Sequence, residues 1–387
     1  MKQNRLSHHC YCTIIPPHIL EHMATASATA VSEPAREAAR LSLIQDSQIR
    51  SARTTQTVDM NTLTRAATGE QSQPPQETST KKSTLKPASE EGIMGVMAPP
   101  AGTAGRAIYD ASHQWGTPPA FMLVRGENDP VTPDKAVTNA YDSAGCVRDY
   151  YRNELGRNSI DNLGLNQIHN VHYGVNYMNA FWNGATMTYG DGDGTIFGDF
   201  TNDLDVIGHE LTHGVTQYTA ALQYYSQSGA LNESFSDVFG SVIQQFTEGK
   251  NAGNADWLIG DGIMGPTLFG EALRSMKAPG TAYDNSLMGR DPQPDHMSRY
   301  YTGTGDNQGV HINSGIPNKV FYLVAMDIGT DKAALIWYTT LQNLWSTAVF
   351  SDFASVLVRS SQLLRQSGQV PLGTTQTVRS ALREVGL

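Results

Sequence analysis

The chain has 387 residues, more than one compact domain usually holds, and 39% of them are hydrophobic, enough for a core if part of the chain stays loose. A formal net charge of −10 argues against nucleic acid as a main partner, because a phosphate binder needs a basic surface. Three cysteines, Cys10, Cys12 and Cys146, are too few for a disulfide framework, and no stretch approaches the ~20 consecutive apolar residues of a membrane span.

The N-terminus, "MKQNRLSHHCYCTIIPPHILEHMA", begins with charge, but its apolar run is short and is broken by Pro16 and Pro17. That is a poor secretory signal, so the expectation is a cytoplasmic protein or one exported by a non-standard route. Cys10 and Cys12 form a C-x-C that can oxidise or bind metal; the expectation is exposed or lightly buried thiols. Residues 33–53 carry a rough apolar face (Ala35, Ala38, Ala39, Leu41, Leu43, Ile44) and predict a helix, with Pro34 in its first turn and Ser32 as cap. Residues 67–104 are rich in Pro, Ser, Thr, Gln, Glu and Lys and predict a disordered linker.

From about 105 the texture is globular. "AIYDAS" and "AFMLVRGE" predict strands, and residues 134–155 a helix with Asp134 in its first turn. Residues 171–194 alternate around aromatics and predict strands joined by a turn. After 205 the periodicity is mostly helical. Strands first and helices later predict an α+β lobe followed by an α-helical lobe.

The segment "DVIGHELTHGVTQYTAALQYYSQSGALNESFSD" (205–237) puts titratable groups into apolar helix. His209 and His213 are four apart, so both imidazoles leave one helix face and can share a metal. Glu233, on a second predicted helix (232–246), completes a His₂Glu set and leaves a fourth tetrahedral position open for water, the pattern of a catalytic zinc site. Asp237, one turn on, can take the second ring N–H of a ligand histidine. Glu210 flanks the metal and can take a proton from zinc-bound water and pass it to a leaving amine.

These residues resemble the thermolysin family of zinc endopeptidases. "NAFWNG" (179–184), "YGDGDG" (189–194), "LRSM" (273–276) and "TGTGDNQGVHINSGIPNK" (302–319) agree and stand in the family's order across 105–387. The resemblance implies a two-lobed α+β peptidase with its cleft between a sheet-rich lobe (105–218) and a helical lobe (219–387). It implies zinc ligands His209, His213 and Glu233, a general base Glu210, and Asp237 behind the first histidine. Tyr224 and His311, the latter oriented by Asp306, are implied to stabilise the tetrahedral oxyanion. Arg274 is implied to bind a substrate carbonyl, and Asn179 and Ala180 to pair with an extended peptide substrate.

Phe197, Phe200, Val206, Ile263 and Leu273 match or neighbour the family's specificity pocket; being apolar, they imply cleavage on the amino side of large hydrophobic residues. Asp205, Asp256 and Asp261 match part of the family's calcium cluster. Gln244 and Leu258 stand where carboxylates would be, so one calcium ion at most is expected. "TIIPPHILEH" (13–22) resembles the opening of the short propeptide of the protealysin-like subgroup. It implies a removable inhibitory propeptide over 1–66, mostly helical, that contacts the catalytic part, with activation in the 60–105 segment, "EEGIMGVMAPP" being a suitable target. The C-x-C pair is not part of that resemblance, and a thiol of Cys10 or Cys12 on the zinc is the alternative to plain thiols. The expected partners are peptide substrates and the chain's own propeptide, with a monomer as the working state. A degenerate binding module and a small-molecule zinc hydrolase are rival readings; the first does not explain why every catalytic position is filled, and the second would show a narrow pocket instead of the peptide-edge residues around Asn179.

Overall fold

A computed structural model describes residues 12–51, 104–116 and 121–387. The expected linker, save its last residue, and the expected activation segment, save its last two, lie outside these residues.

The chain opens with a two-residue strand, β1 (Cys12–Thr13), then helix α1 (Pro17–Thr25) and helix α2 (Glu33–Ser51). Pro17 opens α1, where its missing N–H costs no helical bond. Ser32 caps α2 as expected, its Oγ accepting from Ala35 N at 3.4 Å. Ile14, Ile15, Ile19, Leu20 and Met23 are all fully buried, so this N-terminal unit packs its apolar face into the main core.

Strands β2 (Arg106–Asp110) and β3 (Met122–Gly126) precede helix α3 (Lys135–Asn153). Asp134 is the N-cap of α3 and not a first-turn residue; its carboxylate accepts from Ala136 N and Val137 N. Strands β4 (Gln167–Val171), β5 (Ala180–Trp182) and β6 (Met187–Tyr189) follow, shorter than the alternation over 171–194 predicts. The aromatics between them (Tyr173, Tyr177) pack edge-on with Phe181, a cluster that needs no ladder. The sheet order is β1-β5-β6-β4-β2-β3, with β2–β4 and β4–β6 parallel and the other pairs antiparallel.

The rest is mainly helical: α4 (Leu204–Gln217), α5 (Ser226–Thr247), α6 (Gly305–Asn313), α7 (Gly315–Ile328), α8 (Thr330–Asn343), α9 (Phe350–Gln366) and α10 (Thr374–Glu384). Helix α5 begins six residues earlier than the expected 232. Two small hairpins, β7 (Leu258–Ile259) with β8 (Arg274–Ser275) and β9 (Asp284–Asn285) with β10 (Gly289–Arg290), interrupt the helices.

Helices α4 and α5 meet backbone to backbone. A Cβ on Gly208 would lie 3.0 Å from Gly240 Cα, and one on Gly240 only 2.5 Å from the Asp205 carbonyl oxygen. Only hydrogen fits at either position. The close approach sets the histidines of α4 against the carboxylates of α5.

Candidate active site and metal centre

On α4, His209 and His213 project from one face, as their spacing requires, and both are fully buried. Their Nε2 atoms are 3.0 Å apart. Glu233 on α5 presents Oε2 at 3.4 Å from His209 Nε2 and Oε1 at 3.4 Å from His213 Nε2. Three donors about 3.3 Å apart are what a tetrahedral zinc with bonds of about 2.0–2.1 Å demands. Glu233 Oε2 and Glu210 Oε1 are buried with no hydrogen-bond partner, and two orphaned carboxylate oxygens beside two imidazoles fit a divalent cation.

The ring nitrogens facing away from this triangle are tied down. His209 Nδ1 lies 2.8 Å from Asp237 Oδ1, as expected. His213 Nδ1 lies 2.9 Å from Asn232 Oδ1 and 3.0 Å from Ser236 Oγ, contacts the sequence reading did not anticipate. The signal was present: two ligand histidines need two acceptors, and Asn232 directly precedes Glu233. Asp237 is further held by Arg274 and by Asn318 Nδ2 at 2.8 Å. Burial alone would lower the basicity of His209, but Asp237 and Glu233 outweigh it and raise its pKa.

Glu210 Oε2 accepts from Trp182 N at 3.0 Å, a second unanticipated contact, and leaves the other oxygen buried without a hydrogen-bond partner. Burial, then the charge of Glu233, pushes the Glu210 carboxyl well above the usual carboxylate range.

Across the site, Tyr224 donates to Glu233 Oε1, and its hydroxyl is 3.1 Å from His311 Nε2. Asp306 holds His311 by both handles, Oδ1 at 2.6 Å from Nδ1 and Oδ2 accepting from the backbone N at 2.8 Å. Residues 306–309 are left-handed, with φ from 49° to 77°. Three of these four are not glycine, at a cost of about 1–2 kcal/mol each; this turn folds the Asp306 carboxylate back onto His311. Burial would lower the His311 pKa; Asp306 and Glu233 outweigh it and raise it.

Residues 12–15 lie along the expected peptide edge. Strand β1 pairs antiparallel with β5, Cys12 opposite Trp182 and Thr13 opposite Phe181. Thr13 O is 2.9 Å from His311 Nε2. Ile14 N donates to Ala180 O at 3.2 Å, and Ile14 O accepts from Arg274 Nη1 at 3.1 Å. Ile15 N donates to Asn179 Oδ1 at 2.9 Å. Helix α2 reaches the same edge: Asp46 accepts from Tyr177 OH at 2.6 Å and from Asn179 Nδ2 at 2.8 Å. Phe197, Phe200, Val206, Ile263 and Leu273 are all buried in the core cluster that also holds Ile14.

Two expectations need correction. Cys12 is not a lightly buried thiol: it has no exposure, it is disulfide-bonded, and its Sγ lies within 4.8 Å of ligand atoms of His213 and Glu233. Cys10 lies outside the described residues. The acidic cluster near α4 consists of Asp203, Asp205 and Asp261, whose ligand atoms lie within 4.8 Å of one another. Asp256 instead points outward to Lys250 at 3.5 Å. Asp203, which the expected cluster lacked, is also the N-cap of α4, its carboxylate accepting from Asp205 N at 3.3 Å.

The family model described as "Thermolysin metallopeptidase, catalytic domain" matches residues 45–217, and "Thermolysin metallopeptidase, alpha-helical domain" matches 220–387. The chain is 51% identical over 260 residues to the "Extracellular metalloprotease" of Pectobacterium carotovorum subsp. carotovorum, covering 66% of this chain and 74% of that protein. It is 46% identical over 267 residues to "Protease PrtS" of Photorhabdus sp. (strain Az29), covering 67% and 71%. Against "Thermolysin" of Alicyclobacillus acidocaldarius subsp. acidocaldarius it is 42% identical but spans only 46% of that protein's length. The solved precursor of protealysin, a metalloproteinase from Serratia proteamaculans, superposes with a TM-score of 0.77 at 39% identity, covering 97% of this chain and 99% of that one. With this match of sequence and fold around a His₂Glu triangle, the chain belongs to the thermolysin family of zinc-dependent metalloendopeptidases.

Proposed function

We propose that this chain is the precursor of a thermolysin-like endopeptidase, in which residues 1–66 are an inhibitory propeptide, 67–104 a linker, and 105–218 and 219–387 the two catalytic lobes. The observation that carries the reading is the path of residues 12–15, which use the edge of β5, Asn179, Arg274 and His311 as an extended peptide substrate would. In that register Thr13–Ile14 stands at the scissile position, and Ile14 supplies the side chain after it. A buried isoleucine in the same apolar cluster as Phe197, Phe200, Val206, Ile263 and Leu273 supports cleavage before large hydrophobic residues.

His209, His213 and Glu233 would hold the zinc, which when bound supplies Lewis-acid polarisation of the substrate carbonyl and of a water. Asp237 and Asn232 keep the two imidazoles in the tautomers that leave Nε2 free for the metal. Glu210, its Oε1 unengaged, takes the proton of the attacking water and returns it to the leaving amine. Tyr224 and His311 donate to the oxygen that becomes negative; both stand in place before the reaction, so little reorganisation is needed. Arg274, pinned by Asp237, binds the carbonyl on the leaving-group side. One calcium ion at most would sit at Asp203, Asp205 and Asp261. The working state is proposed to be a monomer outside the cell, by likeness to the relative named an extracellular metalloprotease; among the described residues no helix is long and apolar enough to cross a membrane.

The test is intact mass over time for the full chain, its Glu210→Ala variant, and the full chain with a zinc chelator. The wild type should acquire a new N-terminus between residues 60 and 105 while the other two stay whole. Processing of the variant at the wild-type rate would refute self-activation through Glu210.

A further inference from the structure

The segment that fills the cleft runs at once into α1, and the first turn of α1 sets a histidine against the catalytic part. His18 is half-buried, and Ile19, Leu20 and Met23 of the same helix are fully buried. His18 Nε2 lies 2.9 Å from Tyr283 OH, while Nδ1 is buried with no hydrogen-bond partner among the described residues. The titratable and charged groups that face the ring come from three other elements: Arg274 on β8, Asp306 and His311 on α6, and Tyr283 just before β9. Both oxygens of Asp306, the acid in this set, are engaged by His311. Glu21 and His22, on the ring's own helix, are exposed. A proton added to Nδ1 would therefore be a buried charge without an acceptor, close to the Arg274 guanidinium. His22, one turn on, differs: its Nε2 lies 3.2 Å from Ser286 O, an acceptor that serves a charged ring as well.

We propose that His18 is an acid-sensitive latch, whose protonation loosens the N-terminal unit from the cleft and so exposes the active site of the precursor in mildly acidic solution. The inference rests on the precursor reading above and deepens it by naming a condition that releases the segment. Burial, the largest cause, lowers the His18 pKa from 6.5 to about 4; Asp306 opposes that shift, and His311 and Arg274 add to it. Above about pH 6.5 the ring is neutral whether α1 is docked or free, and docking is at full strength. Between about pH 6.5 and 4 the free ring takes up a proton that the docked ring refuses, so docking weakens as pH falls. At pH 5.5, one unit below the free value, the weakening is about tenfold. The ring stands between the docked helix and Asp306, His311 and Arg274, so the site that the segment blocks is also the site whose charge resists the proton.

The test uses the full chain with Glu210→Ala, so that no processing intervenes. Amide exchange, corrected for its intrinsic dependence on pH, is compared at pH 7.5 and 5.5. Residues 14–23 should lose about tenfold of their protection at the lower pH, while α4 and α5 keep theirs. Adding His18→Gln should cut that loss to less than about twofold, and adding His22→Gln should leave it in place. In the docked chain the labelled His18 ring should stay neutral by NMR down to about pH 5. An equal loss of protection with and without His18→Gln would overturn the inference, as would a His18 ring that titrates near 6.5 while residues 14–23 remain protected. The ring titration needs no substitution at position 18, so it decides the matter even where His18→Gln fails to dock. Neither readout depends on catalysis, and the precursor reading stands or falls separately by the intact-mass test.

Discussion

Ile14→Ala in the Glu210→Ala background isolates the contribution of one side chain to holding the N-terminal segment in the cleft. Ile14 is fully buried in the core cluster. Its backbone bonds to Ala180 O and Arg274 are main-chain contacts that alanine keeps. The substitution removes about three carbons' worth of buried surface and leaves a cavity, together about 2–5 kcal/mol. If the side chain is buried only while the segment is docked, that energy favours the undocked state by about 30- to 4,000-fold. Amide hydrogen exchange reads this directly. The amides of residues 14 and 15 should exchange faster by that factor, while those of α4 and α5 keep their protection. An acceleration below about threefold would refute the assignment of Ile14 to a substrate-like pocket. An equal acceleration in α4 and α5 would show global destabilisation and equally refute the argument from local docking.

Other consequences can be checked independently. Asn232→Ala should weaken zinc affinity by about 10- to 100-fold, because His213 loses an acceptor that orients its ring; competition with a chromophoric chelator measures it, and unchanged affinity would dismiss Asn232 as an orienting group. Gly240→Ala places a methyl 2.5 Å from the Asp205 carbonyl and should cost about 1–3 kcal/mol in denaturant unfolding, with weaker zinc binding as α4 and α5 separate; a neutral effect would mean that the helices do not cross so closely.

The partly buried His172, which binds the carboxylates of Asp191 and Asp134, has its pKa raised to about 9. Its stabilisation should be complete below about pH 6.5 and lost as pH rises through about 9. Thermal unfolding of His172→Gln should lack that loss, and a wild type with flat stability over this range would contradict the pairing. Burial, then the charge of Asp261, pushes the Asp203 carboxyl up to about 6; burial, then the charge of Asp203, holds the Asp205 carboxyl well above the usual carboxylate range. A raised carboxyl pKa costs stability above the unfolded value, so without a cation stability should fall as pH rises from about 4 through 6. At pH 7 calcium should raise Tm in the wild type and not in Asp205→Asn; equal behaviour of the two would remove the calcium site.

The sequence by itself determined the chemistry that depends on local spacing. His209 and His213 at i and i+4, and Glu233 and Asp237 at the same interval, had to share a helix face wherever the helices lay, because the α-helical period leaves no other geometry. The ordered motifs from Asn179 to His311 carried the fold and the roles by resemblance, and Ser32 was legible as a cap because capping is a contact within one turn. Contacts set by the crossing of separate elements were not legible. Asn232 against His213, Trp182 N against Glu210 and Asp203 against Asp261 join residues 19, 28 and 58 positions apart, and no local pattern says which of many polar side chains will meet. Cys12 is the clearest case. A short thiol near an N-terminus reads as bland, and only the antiparallel register of β1 on β5 sets its sulfur beside His213 and Glu233, because a one-residue slip of that strand would turn it to the opposite face.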